Sequence, residues 1–229
     1  MRLEGHVAVV TGGTGGLGRA VASAFLAAGA RVIATTRNPV DGETHERLTI
    51  EAVDLVDEAS MLAFADRVRE RHGRCDHLVC CAGGFAAGTP VAEMSLDVWR
   101  RQLDLNATSA FLAARALLPL MLEARRGSIV LVGSRAALQP FAGAVPYSVS
   151  KAAVIALTGA LAVELRDKGV TVNCVLPSVI DTPANRAGSP DADYTRWVTP
   201  EDLAETMLWL CSSAARETSG AVIPVYGRA

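Results

Sequence analysis

Val7-Ala8-Val9-Val10 runs without interruption into Thr11-Gly12-Gly13-Thr14-Gly15-Gly16-Leu17-Gly18, and Arg19 to Ala28 follows as an alanine-rich stretch closed by Gly29. A short β-branched strand, a glycine loop and a helix in that order constrain this chain more than any other feature. Glycines let the backbone turn tightly and approach a ligand closely, and the open amide groups at the start of the helix attract phosphate charge. The segment therefore predicts a phosphate-binding opening, with Gly12, Thr14, Gly15, Gly16, Leu17 and Gly18 as its candidate contacts. Its position between the first strand and the first helix separates it from an ordinary glycine-rich turn.

The remaining chain keeps the same rhythm. Val32 to Thr35, Leu48 to Val53, Leu78 to Cys81, Ser128 to Val132, Val170 to Leu176 and Ala221 to Val225 read as further strands. Asp57 caps a helix to Arg71 whose buried stripe is Met61, Phe64, Ala65 and Val68. Ser95 to Arg125 is one long helical zone, interrupted near Asn106 and Pro119, and Pro200 starts a last helix with Leu203, Met207 and Leu210 on one face. Between Pro39 and Arg47 the residues are mostly polar and include Gly42, so a short loop replaces the helix expected there. This alternation predicts an α/β, Rossmann-type, doubly wound fold: a seven-stranded parallel sheet flanked by helices on both faces, with ligand across the carboxyl ends of the strands.

At 229 residues the chain suits a single dinucleotide-binding domain spanning 1–229. Half the residues are hydrophobic and the net charge is only −2, which argues against a nucleic-acid surface or a polybasic membrane anchor. Small molecules and other subunits are the expected partners. Cys75, Cys80, Cys81, Cys174 and Cys211 have no metal-ligand spacing and read as reduced core residues. The N-terminus carries no basic-then-apolar leader, and no apolar run reaches the roughly 18 residues of a membrane span, so a cytoplasmic protein is expected. Phe111 to Met121 and Ala152 to Leu161 are apolar almost all round; burial by neighbouring subunits, in a homodimer or homotetramer, accounts for such helices.

Chemistry concentrates where strands end. Arg37, at the end of the second strand, offers a guanidinium to a 2′-phosphate where an acidic residue would select NAD, so NADP(H) is favoured and NAD(H) remains possible; a solvated surface arginine is the plainer reading. Ala82 and Gly83 turn out of the fourth strand, and Ser134 leaves the fifth, at the same edge as the glycine loop. Tyr147 and Lys151 lie one helical turn apart, so the phenol and the ammonium share a face. A nearby cation stabilises a phenolate and lowers its pKa from about 10 towards neutrality. Tyr-x-x-x-Lys alone arises on many amphipathic helices, Asn106 alone reads equally as a helix breaker, and Ser134 alone as a turn residue. The segment 178–199 is polar and proline-broken and reads as a substrate lid.

Together these pieces resemble the short-chain dehydrogenase/reductase family over essentially the whole chain. Thr11-Gly12 with Gly16 and Gly18 is similar to the family's cofactor loop, Asp54 followed by Leu55 to its adenine-contacting aspartate, and Cys80-Cys81-Ala82-Gly83 to its Asn-Asn-Ala-Gly turn. Asn106, Ser134, Tyr147 and Lys151 fall in the order and spacing of its catalytic tetrad. The resemblance implies hydride transfer between a nicotinamide cofactor and a carbonyl or alcohol, of ketone or 3-oxoacyl reductase type, without a metal. It implies that Tyr147 protonates the carbonyl oxygen, Ser134 polarises it, Lys151 binds the nicotinamide ribose and lowers the Tyr147 pKa, and Asn106 holds a water connecting Lys151 to solvent. Pro177, Ser178, Val179, Ile180 and Thr182 would contact the nicotinamide end, with Ser178 in place of the family's glycine. Phe85, Gln139, Phe141, Tyr194 and Trp197, with Ser134 and Tyr147, are candidate substrate contacts, several of which could equally be packing residues. Local similarity to dihydropteridine reductase in Ala82 to Phe85 and Ile180 to Arg186, followed by Pro190 to Tyr194 and Trp197, leaves a quinonoid pterin reductase as an alternative. A non-catalytic nucleotide-binding interaction module is the alternative from another class.

Overall fold

The computed structural model describes residues 1–38 and 45–228. Its strands are β1 (Val7–Thr11), β2 (Arg31–Thr36), β3 (Leu48–Ala52), β4 (His77–Cys80), β5 (Gly127–Val132), β6 (Val170–Pro177) and β7 (Val222–Val225). They form one seven-stranded sheet in the order β3-β2-β1-β4-β5-β6-β7, and every pairing is parallel. The expected sheet is therefore present. The connections leave β1 towards β2 on one side and reach β4 on the other, which opens a crevice between them at the carboxyl edge.

Two apolar layers explain why the strands read as near-continuous hydrophobic runs. Successive residues point to opposite faces, so Val7, Val9, Leu78, Ile129, Leu131, Val172 and Leu176 enter one core while Ala8, Val10, Val79, Val130, Val132 and Val175 enter the other. The first core is closed by helices α2 (Glu58–His72), α4 (Ser109–Ala124) and α5 (Val145–Glu164), the second by α1 (Gly16–Ala27) and α7 (Pro200–Leu210). Each large side chain so buried contributes about 1.5–3 kcal/mol. The α2 stripe is Met61, Phe64, Ala65 and Val68, as its spacing requires, and Asp57 caps it by accepting from the Ser60 amide at 2.7 Å.

Several boundaries differ from the sequence expectation. Helix α1 begins at Gly16, inside the glycine loop, because its first turn is the part that must present open amides. The long helical zone runs from α3 (Leu96–Leu103) through a π-helical turn at Asp104–Thr108 into α4, so Asn106 marks a bulge rather than a break. Pro119 sits inside α4 without ending it. Residues 39–44 of the expected short loop lie outside the described residues; His45 then bridges to Leu48 at the start of β3.

Leu96–Ala124 and Val145–Glu164 are long and apolar enough to cross a membrane by length and composition, contrary to the expectation that no such run exists. Their apolar residues serve the core instead: Leu112, Ala113, Leu117, Leu120 and Val154 pack against the sheet. Their outer faces are not covered within the chain, and Phe111, Val149 and Val163 are exposed. Of the cysteines, Cys75, Cys80, Cys174 and Cys211 are buried and Cys81 is half-buried.

Candidate active site

The carboxyl edge of the sheet carries a cleft of about 400 Å³. Gly12 and Gly15 from the glycine loop line it, with Arg37 after β2, Asp54 and Leu55 after β3, and Ala82 and Gly83 after β4. Residues from four separate strand ends thus meet in one wall, as a dinucleotide fold requires. Leu105, within the π-helical turn, and Ser109, directly after it, complete it. Sequence reading missed both; the signal available was the asparagine between them in an otherwise apolar helical zone.

The residues present fit a bound dinucleotide. Gly15 precedes α1 without any side-chain cap, and no acidic residue occupies the first turn, so its amides are open to an anion. Glycine is required at Gly18, where a Cβ would come within 2.1 Å of the Gly12 carbonyl oxygen. Thr14 Oγ1 donates to Thr36 Oγ1 at 3.2 Å, tying the loop to the end of β2, while Leu17 is buried in the core behind the loop. Thr182 lies over Gly16, its Cγ2 placed 2.8 Å from where a Cβ would stand.

Ser134 follows β5 and caps the 3-10 turn Arg135–Ala137, its Oγ accepting from the Ala136 amide at 3.1 Å. Its proton is then free for another acceptor, and its hydroxyl pulls the Tyr147 phenol downward in pKa. Tyr147 stands in the first turn of α5, and Lys151 one turn on. Lys151 is buried and its Nζ donates to the Val132 carbonyl oxygen at 2.8 Å. Burial lowers the Lys151 ammonium to about 8, against a weaker upward pull from Cys174, Cys81 and Cys80.

The expectation of a depressed Tyr147 pKa is not met in the chain by itself. Burial raises the phenol above its ordinary value, and the Ser134 hydroxyl only partly offsets this. The physical reason is that Lys151 sits against a backbone carbonyl and the phenol is largely desolvated, so loss of hydration outweighs attraction to charge.

Asn106 is buried, and both ends of its amide are engaged. Its Oδ1 accepts from the Gly84 amide and its Nδ2 donates to the Gly84 carbonyl, each at 3.0 Å, while Nδ2 also donates to Ser150 Oγ at 3.0 Å. Ser150 Oγ in turn donates to the Tyr147 carbonyl at 2.8 Å. Asn106 therefore ties the loop after β4 to α5, and Ser150 is a positioning residue that sequence reading did not single out. A Cβ on Gly83 would lie 2.7 Å from Asn106 Oδ1 and 3.3 Å from Lys151 Nζ, so the absence of a side chain there lets the amide and the ammonium approach. Where the resembled family has asparagines, Cys80 and Cys81 stand here, and the adjoining backbone is held by the Ala82 amide donating to Thr11 Oγ1 at 3.3 Å.

The segment after β6 is more ordered than a structureless lid. Val198 donates to the Val179 carbonyl at 3.1 Å and Asp181 to the Val198 carbonyl at 2.8 Å, pinning its base, and helix α6 (Pro183–Gly188) begins at a Thr182 cap. Pro177 pairs with Val225, Ser178 Oγ donates to the Tyr226 carbonyl at 2.7 Å, and Ile180 bridges to Val198. Tyr194 and Trp197 pack on each other, ring centroids 4.8 Å apart. Phe85 instead reaches Tyr147 edge-on at 4.9 Å and Phe141 at 6.5 Å, whereas Gln139 is exposed.

A model of the short chain dehydrogenase family matches residues 6–193. The chain is 35% identical over 246 residues to the D-threitol dehydrogenase of Mycolicibacterium smegmatis, covering 99% of this chain and 93% of that one. It is 30% identical to the 3-oxoacyl-[acyl-carrier-protein] reductase FabG of Thermotoga maritima, covering 99% and 98%. The ligand-free aldohexose dehydrogenase of Thermoplasma acidophilum superimposes with a TM-score of 0.90 at 28% identity, over 98% of this chain and 94% of that one.

Proposed function

Because the chain belongs to the short-chain dehydrogenase family, a family of NAD(P)-dependent oxidoreductases, we propose that Tyr147, Ser134, Lys151 and Asn106 form the proton-transfer half of a site that interconverts a ketone and a secondary alcohol. The observation that carries this reading is that Tyr147 and Lys151 stand one turn apart on α5, with Lys151 Nζ donating to the Val132 carbonyl at the end of the strand that delivers Ser134, on the sheet edge that also holds the glycine-lined cleft. A nicotinamide, when bound, supplies the hydride to the carbonyl carbon or takes it back. Tyr147 Oη gives its proton to the carbonyl oxygen in reduction and recovers one in oxidation, and burial keeps it in the protonated form that reduction needs. Ser134 donates to the same oxygen and stabilises the charge that develops there. Lys151 holds the ribose and, with a pKa of about 8, passes protons in the second turn of α5. Asn106 keeps the loop after β4 against α5.

The cleft residues Gly12, Gly15, Arg37, Asp54, Leu55, Ala82 and Gly83 hold the cofactor, joined from the loop by Thr14, Gly16, Leu17 and Gly18 and at the nicotinamide end by Pro177, Ser178, Val179, Ile180 and Thr182. NADP(H) is preferred, since Arg37 is exposed on the cleft wall where a 2′-phosphate lies in such folds. Residues 1–229 act as one catalytic unit with 178–199 as the substrate segment. The uncovered apolar faces of α4 and α5 support a homodimer or homotetramer in the cytoplasm. Tyr147→Phe tests the mechanism: dinucleotide binding should persist and turnover fall by at least about a thousandfold. Fluorescence titration of NADPH and NADH tests the cofactor assignment; tighter NADH binding refutes it.

A further inference from the structure

Resting on the reductase reading above, we propose that the substrate carries an apolar group of aryl or branched-alkyl size beside its carbonyl, seated on Phe85 and Phe141, and that the site rejects polyols. Phe85 is 64% exposed and Phe141 51% exposed, although both belong to a cluster that includes the phenol of Tyr147. Leu138, just beyond the turn that Ser134 caps, is 58% exposed. Large apolar side chains left open to water on the rim of a reaction centre mark a binding surface, and removing them from water favours an apolar occupant.

The aromatic wall is held in place by its backbone. The Gly88 amide donates to the Gly143 carbonyl at 3.1 Å, joining the loop that carries Phe85 to the loop that carries Phe141. Gly143 has φ 78°, and a Cβ on it would lie 2.9 Å from the Gly88 nitrogen, so the two strands of chain can cross this closely only with glycine there. The rings therefore meet because the loops cross.

Several polar groups of the segment after β6 are engaged within it. Arg186 forms a two-pronged pair with Asp181 at 2.5 and 2.7 Å and lies over the Tyr194 ring at 4.7 Å. Tyr194 Oη donates towards the Pro190 carbonyl at 2.9 Å, and Asn185 Nδ2 to the Ile180 carbonyl at 2.8 Å. Arg135 lies over the Tyr226 ring at 5.6 Å. A polyol entering this site would exchange water for ring faces along this wall, leaving the hydroxyls placed there without partners.

The test compares acetophenone and 1-phenylethanol with erythrulose and D-threitol, each with both dinucleotides. Acetophenone should be favoured in kcat/KM by at least about a hundredfold. Phe85→Ala should raise its KM about tenfold or more while leaving dinucleotide affinity unchanged, and Phe85→Leu should recover part of the loss. Efficient turnover of erythrulose or threitol in preference to the aryl pair overturns this inference and leaves the reductase reading standing. No turnover of either class by dinucleotide-loaded protein overturns the reductase reading and the inference with it. An unchanged acetophenone KM in both Phe85 variants overturns the assignment of the wall.

Discussion

Lys151 Nζ donates to the carbonyl oxygen of Val132 at 2.8 Å, fastening the second turn of α5 to the end of β5, two residues before Ser134. The bond sets the ammonium in a buried position and accounts for what happens to its proton. Its folded value of about 8 lies below the ordinary value near 10.4. Between those values the unfolded chain keeps a proton that the folded chain has lost, so this group's contribution to stability rises with pH across that window and is unfavourable throughout below it. Lys151→Met should therefore gain most on the wild type near pH ~7, with the gap closing towards pH ~10, as read by thermal unfolding across that range. A gap that does not vary with pH would sink the idea.

Ser134 exerts the downward pull on a Tyr147 phenol that burial raises. Ser134→Ala should move the alkaline limb of alcohol oxidation to still higher pH, besides lowering kcat/KM by roughly ten- to a thousandfold. Ser134→Thr should restore the limb, because the hydroxyl returns. The pH dependence of kcat/KM for 1-phenylethanol oxidation reads both outcomes.

Gly18→Ala puts a methyl group where the Gly12 carbonyl oxygen already stands, 2.1 Å from the new carbon. The helix must move off the loop, and the amides that face phosphate move with it. NADPH affinity should fall about tenfold or more while far-UV circular dichroism stays native-like; wild-type affinity in this variant would refute the loop's assigned role.

At the opposite edge of the sheet, His77 Nε2 and His6 Nδ1 are 2.8 Å apart, the rings stack at 5.1 Å, and Phe25 meets His77 edge-on at 6.0 Å. Burial, then His6 and Arg74, depress His77 to about 3. Between about 6.5 and that value the unfolded chain binds a proton that the folded chain does not, so stability falls as pH falls through the window. His77→Gln should flatten the acid dependence of the unfolding midpoint there, and an equally steep fall in the variant would contradict the assignment.

Most of the sheet was legible because its strands are buried on both faces. A run such as Ile129 to Val132 cannot be satisfied on a one-sided sheet, and the α2 stripe reproduces its spacing residue for residue. Helix ends were less legible. Gly16 and Leu17 read as loop, and Asn106 as a break, because continuity there depends on Gly18 clearing Gly12 and on the Gly84 backbone meeting the Asn106 amide. Neither contact is local in sequence.

The chemistry divides in the same way. The residue types and their spacing determined by themselves the succession of strands and helices, the glycine loop and the pairing of Tyr147 with Lys151 on one helical face, since periodicity and turn chemistry are local. Only the tertiary structure decided that Lys151 sits against Val132, that burial raises Tyr147 where charge alone would lower it, and that Phe85 stands beside the phenol. Desolvation and ring contacts depend on which distant segments close over a group, and no local pattern records that.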